Sequence, residues 1–180
     1  PTGSVNNQSR NSQKILQNLG GNLEISWYHY SKRPHVIAVV MRYLIDTNIF
    51  VYMATDRGWL HNDILSILQD YDNVLYMSSE SVKELIVAYN NKGLCNKRWK
   101  TAKAMVDAIE DDFNIKISPI KKEHLITYAN LQTNTDQGHK DPSDHVIIAH
   151  SITEGMPLIS SDRRFVFYTN QGLQLIQNSK

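Results

Sequence analysis

From residue 41 onward, short apolar runs alternate with longer stretches in which apolar residues recur every three or four positions. The short runs predict strands at Arg42 to Ile45, Asn73 to Met77, Ile115 to Ile117, Pro157 to Ile159 and Leu173 to Ile176. The periodic stretches predict helices at Asn48 to Met53, Asp63 to Gln69, Ser81 to Asn90, Thr101 to Asp111, Lys121 to Leu131, Pro142 to Glu154 and Arg164 to Tyr168. Punctuation supports the boundaries. Asn91-Lys92-Gly93 and Gly155 are helix stops, and Pro119 ends the third strand. Strands that alternate with helices imply an α/β fold with a mainly parallel sheet covered on both faces. The apolar character of the strands agrees, because such a sheet is buried on both sides.

Residues 1–40 break this pattern. The first 22 are rich in Asn, Gln, Ser and Gly, too polar to bury enough surface to order themselves. Residues 23–40 are more apolar but carry Pro34 and no clear period. The expected division is therefore a leader, cloning remnant or disordered extension over 1–40, with Met41 as the translation start, and one domain over 41–180. Charge follows the same division. Residues 1–40 hold Arg10, Lys14, Lys32 and Arg33 against Glu24, a net +3 of the whole chain's +1, which leaves −2 for the remainder. A mildly acidic domain that handles nucleic acid must use local basic patches and bridging cations. The longest apolar stretch, Val36 to Met41, is far short of a membrane span. The single cysteine, Cys95, allows no intramolecular disulfide, and a cytoplasmic location is the expectation.

Placed on the predicted elements, the acidic residues gather. Asp46 directly follows the first strand, and Asp162 follows the fourth after Ser160 and Ser161. In a parallel sheet all strand C-terminal ends share one edge, where ligands bind. Glu84 lies one turn into the helix after the second strand. Asp144 lies in the first turn of the helix leading into the fourth strand, where topology alone leaves its position open. Each acid also has a plainer reading. Asp46 and Asp162 suit helix N-caps. In Asp141-Pro142-Ser143-Asp144 the cap falls to Asp141 and the first helical position to Pro142, which frees Asp144 for another role or for the helix dipole. Glu84 is followed by Leu85-Ile86-Val87-Ala88-Tyr89, apolar all round, so its carboxylate needs either a cation or a Lys or Arg partner. Converging carboxylates repel one another unless a hard cation joins them, and Mg²⁺ or Mn²⁺ is the natural choice. Such an ion activates water and stabilises charge on a phosphate, so phosphodiester hydrolysis is the expected reaction class.

Four segments, Leu44 to Asn48, Ser81 to Leu85, Asp141 to Ala149 and Leu158 to Phe165, resemble in order the motifs of PIN domains, in particular those of VapC-like toxins. The resemblance spans nearly all of residues 41–180. It implies a three-layer α/β/α fold and Mg²⁺-dependent endoribonuclease activity, with frequent homodimers and inhibition by a cognate antitoxin. By position it implies Asp46, Glu84, Asp144 and Asp162 as acidic ligands, with Asn48 and Ser160 as polar support.

Other features add less. Lys97-Arg98-Trp99-Lys100 offers cations around an aromatic ring that either stacks on an RNA base or anchors a solvated helix start. Arg163 and Arg164 adjoin Asp162, in reach of a substrate phosphate. The seven histidines show no metal-ligand spacing; His145 and His150 do not share a helix face. Two other classes remain: a non-catalytic PIN-like module that binds RNA or protein, and a haloacid-dehalogenase-like phosphatase. The second needs another Asp two residues after Asp46, where this chain has Asn48.

Overall fold

The computed structural model describes residues 23–25, 39–95, 97–134 and 138–179. Strand β1 is Leu23–Ile25 and β2 is Val39–Ile45. Then follow α1 (Thr47–Thr55), a 3₁₀ turn (Arg57–Trp59), α2 (Asn62–Gln69), β3 (Val74–Ser78), α3 (Ser79–Lys92), α4 (Ala102–Asp111), β4 (Ile115–Ser118) and α5 (Lys122–Asn130). The chain continues through α6 (Pro142–Glu154), β5 (Leu158–Ser160), a 3₁₀ helix (Arg163–Gln171) and β6 (Leu175–Gln177). Five strands form one parallel sheet in the order β4-β3-β2-β5-β6, as the alternation predicts.

The strands bury both faces by simple alternation. Ile45, Leu75, Met77, Ile115 and Ile159 pack against Ile49 and Phe50 of α1, Ile64 of α2, Leu85 of α3 and Met105 and Ile109 of α4. Leu44 and Leu158 face the other way, onto Ile147 and Ile148 of α6 and onto Phe165 and Tyr168. The outcome is a three-layer α/β/α domain. Among the described residues, no helix is long and apolar enough to cross a membrane.

Several boundaries depart from expectation. Strand β2 begins at Val39, and β1 pairs with it antiparallel, Leu23 opposite Met41. The sheet thus reaches upstream of Met41; the remaining residues of 1–38 lie outside the described set. Helix α3 starts at Ser79 because the Ser78 side chain accepts from the Glu80 N–H. It stops where Gly93 takes a left-handed conformation, φ 64°. The helix expected at Arg164 to Tyr168 is a longer 3₁₀ helix that carries the chain through Gln171, so β6 starts two residues later than predicted. Strands β2 and β5 are neighbours, yet the chain leaves β2 toward β3 and returns to β5 on the other side. That makes the carboxyl ends of β2 and β5 the switch point of the sheet, where a crevice opens.

Candidate active site

Asp46 stands at that crevice. Its backbone N–H still bonds the Ile159 carbonyl at 3.0 Å, so the sheet itself sets its place. The residue is only 3% exposed. One carboxylate oxygen accepts from the Thr47 N–H at 2.7 Å and the other from the Ser160 hydroxyl at 2.6 Å. Ser160 in turn accepts from the Asp162 N–H at 3.0 Å. This buried serine therefore joins the ends of β2 and β5. Asn48 accepts from the Ser161 N–H at a long 3.5 Å.

Glu84 reaches the same crevice from α3, where the Thr47 hydroxyl donates to it at 2.5 Å. Among the described residues no Lys or Arg pairs with it, so the salt-bridge reading finds no partner there. Its helix is less buried than its apolar sequence suggests: Val87 is 49% exposed. Val87, Ala88 and Asn91 form one wall of a groove of about 420 Å³ that also meets Thr47, Glu84, Asp141 and Ser143.

Helix α6 is docked by its first turn. Ser143 donates to Glu80 at 2.7 Å, and Lys83, paired with Glu80, lies 3.4 Å from the same hydroxyl. Asp141 caps the helix by accepting the Ser143 N–H at 2.9 Å. Glu84, Asp141 and Asp144 then each place one carboxylate oxygen within 4.8 Å of the others. Asp141, set apart by sequence as a cap, is therefore both the cap and a member of the cluster. Asp144 and Asp162 form a second such group with His139. Asp162 caps the following 3₁₀ helix by accepting the Arg164 N–H, so for this residue too the cap and the cluster coincide.

Burial and mutual repulsion decide the charge state. Burial pushes Asp46 up to about 6, opposed by the Ser160 hydrogen bond and reinforced by Asp144 and Asp162. Burial likewise pushes Glu84 up to about 7, opposed by the Thr47 hydroxyl and reinforced by Asp144 and Asp46. Asp144 rises to about 6 through burial, then through Asp141 and Asp162, with Arg164 pulling the other way. Asp162 differs. Burial raises it, but the hydrogen bonds from Arg164 together outweigh that and hold it below the ordinary carboxylate range. The Arg164 Nε lies 3.0 Å from both Asp162 oxygens, and its Nη2 is 3.6 Å from Asp144. These mutually repelling, all-oxygen donors fit a hard divalent cation. Asp46, Glu84, Asp141, Asp144 and Asp162 are the residues that would hold it.

The basic run lies elsewhere. Trp99 is 8% exposed and packs against Phe50 and Phe113, so the anchoring reading holds. Arg98 donates to the Ala54 carbonyl at 2.9 Å and covers the Trp99 and Phe113 rings. Ala54 sits eight residues along α1 from Asp46, roughly 12 Å at the helical rise. Lys100 is exposed on that run, whereas Arg164, also exposed, pairs with Asp162 at the cluster, and exposed Arg163 adjoins Asp162 in the chain.

Three participants escaped the sequence. Thr47 lies inside the first motif but carries no ligand chemistry of its own. His139 and Tyr168 meet Asp144 only through the fold. Contrary to the spacing argument, the histidines do gather: His124 and His150 also stack with ring centroids 4.0 Å apart beside Glu154. Their nitrogens are already engaged. His150 bonds Ser78 and Ser118, and His124 bonds the Lys121 N–H and Glu154, which makes this pair a link between α5, α6 and the sheet.

An acid-lined crevice at the switch point of a three-layer α/β/α domain defines the class. Residues 43–168 match the PIN domain family, and the chain belongs to it. Among solved structures of similar shape is VapBC2 from Rickettsia felis bound to a DNA fragment from its promoter. It is 22% identical, with TM-score 0.58 over 76% of this chain and 98% of that one. VapBC-1 from nontypeable Haemophilus influenzae is 24% identical, with TM-score 0.56 over 78% and 100% of the two chains. VapBC-5 of Mycobacterium tuberculosis, from the VapBC family of toxin–antitoxin systems, is 16% identical, with TM-score 0.53 over 76% and 98%. At these identities the likeness is one of fold. No curated protein matches the chain in sequence.

Proposed function

We propose that the chain is a divalent-metal-dependent endoribonuclease that hydrolyses RNA phosphodiester bonds with Mg²⁺ or Mn²⁺, and that it is the toxin of a toxin–antitoxin pair. The observation that carries the chemistry is the approach of Glu84, Asp141 and Asp144 oxygens to within 4.8 Å beside buried Asp46 at the sheet's switch point. Acids so close, three of them with raised pKa values, are arranged for a cation rather than for one another. When bound, the ion supplies positive charge to the scissile phosphate and acidifies a water.

The chain's own residues supply the rest. Ser160 and the Thr47 N–H hold both Asp46 oxygens in place, and the Thr47 hydroxyl aims Glu84. Exposed Arg163 and Arg164 present positive charge at the rim, where an RNA phosphate arrives. The groove beside Glu84, walled by Val87 and Ala88, receives the strand flanking the cut. A strand must enter that groove to reach the carboxylates, which favours single-stranded or loop RNA.

The toxin assignment is supported by PIN membership together with the VapBC complexes of similar fold. It entails a cognate antitoxin as partner, with a homodimer and a cytoplasmic setting as further expectations. The decisive experiment measures cleavage of defined single-stranded RNAs with Mg²⁺ or Mn²⁺, in EDTA, and by an Asp46→Asn variant. The reading expects activity only in the first condition, and induced wild-type protein should slow growth while the variant does not. Absence of both cleavage and Mn²⁺ binding at the cluster would point to a non-catalytic module that binds RNA or protein.

A further inference from the structure

We infer that His139 is a positioning residue for Asp144, locked by Tyr168 into the one tautomer that can donate a hydrogen bond to that carboxylate. This rests on the metal-site reading above, and its own support is a closed chain of hydrogen bonds. Asp144 Oδ2 lies 3.0 Å from His139 Nε2. His139 Nδ1 lies 2.8 Å from the Tyr168 hydroxyl oxygen. That oxygen accepts from the Asn134 N–H at 3.2 Å.

Hydrogen positions follow from what each group can offer. An ionised carboxylate only accepts, so Nε2 carries the hydrogen. The neutral ring then has a bare Nδ1, which needs a donor. The Tyr168 hydroxyl is within reach, and its own oxygen serves the Asn134 N–H. Each of these three contacts has one donor and one acceptor, and the alternative tautomer would set a lone pair against the carboxylate at 3.0 Å.

Packing leaves the ring little freedom to choose otherwise. His139 and Tyr168 are both 0% exposed. His139 is flanked by His145, Phe165 and Tyr168, with ring centroids 4.7, 5.6 and 5.4 Å away. An imidazole so fixed pins one oxygen of Asp144 and leaves the other for a cation. Partners that orient a ligating carboxylate are commonly worth about 10–100-fold in metal affinity or activity. With a hydrogen on Nε2 and Nδ1 held by the Tyr168 hydroxyl, the ring has no free lone pair for a metal, which separates this role from the alternative in which His139 joins Asp144 and Asp162 around the ion.

The test has two readouts on the full chain. In the metal-free protein, ¹⁵N NMR of the imidazole should show His139 as the Nε2–H tautomer, and Tyr168→Phe should leave a mixture. Titration with Mn²⁺ alone, read by electron paramagnetic resonance, should show affinity lowered about tenfold in His139→Phe and several-fold in Tyr168→Phe. His139→Gln, which can still donate to Asp144, should recover part of the loss. Tyr168→Phe keeps the buried ring, so it reports even where His139→Phe fails to fold. A wild-type Nδ1–H tautomer, or unchanged Mn²⁺ affinity in folded Tyr168→Phe and His139→Phe, overturns the inference. Asp46→Asn, run alongside, separates the two readings. If Asp46→Asn abolishes Mn²⁺ binding while the His139 and Tyr168 variants do not weaken it, only the positioning role falls; if Asp46→Asn binds normally, the metal site falls with it.

Discussion

The hydroxyl of Thr47 donates to the carboxylate of Glu84 at 2.5 Å, across the gap between α1 and α3. This bond favours the charged form of a group that burial, even against it, pushes up to about 7. Thr47→Val removes the donor at nearly constant shape, so the Glu84 pKa should rise further. Mn²⁺ must then displace a proton more often, and affinity at pH 7 should fall by about 3–10-fold, since one pKa unit is tenfold. The deficit should shrink as pH is raised above about 8. A deficit that is the same at every pH would mean the hydroxyl acts by shape and not by charge.

Asp46 ties stability to pH. Its folded pKa of about 6 stands above the ordinary 3.8, so between those values the folded chain binds more protons than the unfolded one. The penalty for ionising it is absent below about pH 4 and grows as pH rises through 6. Asp46→Asn removes that penalty. Without metal, the variant should exceed the wild type by about 1–3 kcal/mol at pH 7.5, and the gain should vanish toward pH 4. Denaturant titrations of both proteins across that range check this, and a pH-independent difference counts against it.

Asp141 and Asp144 separate two kinds of loss. Asp144→Asn keeps the volume and the fold but should abolish cleavage and weaken Mn²⁺ binding. Asp141→Ala should cost about 1 kcal/mol through the lost cap and also lower Mn²⁺ affinity, because its oxygen lies with those of Glu84 and Asp144. Asp141→Ser restores a capping oxygen without the charge, so it should regain stability but not affinity. If Asp141→Ser bound Mn²⁺ as the wild type does, Asp141 would be a cap only.

The arginines divide by location. Arg98→Ala strips a donor from the Ala54 carbonyl and a cation from the Trp99 and Phe113 rings. It should lower stability by about 1–2 kcal/mol and leave RNA affinity alone. Arg163→Ala, on an exposed rim, should do the reverse, weakening RNA binding most at low salt. Melting curves and RNA titrations of the two variants would exchange outcomes if the basic run at residues 97–100 were the RNA surface.

The sequence by itself determined the layering and most of the candidate acids. Alternating apolar runs at Leu44-Ile45, Leu75, Met77 and Leu158-Ile159 specify a sheet buried on both faces, because strand periodicity sends neighbours to opposite sides. Asp46 and Asp162 are legible because a parallel sheet delivers every strand end to one edge, whatever the packing. Helix ends such as Gly93 and Gly155 are legible too, since both sit in the left-handed region that glycine enters at little cost. Only the tertiary structure decided how α6 meets α3. The Ser143–Glu80 bond, 63 residues apart in sequence, is what brings Asp141 and Asp144 to Glu84. The same holds for His139 and Tyr168, and for Arg98, turned from a nominal phosphate binder into a lid on an aromatic core. These are contacts between side chains on separate elements. Their partners depend on distances across the folded core, and local periodicity carries no information about those.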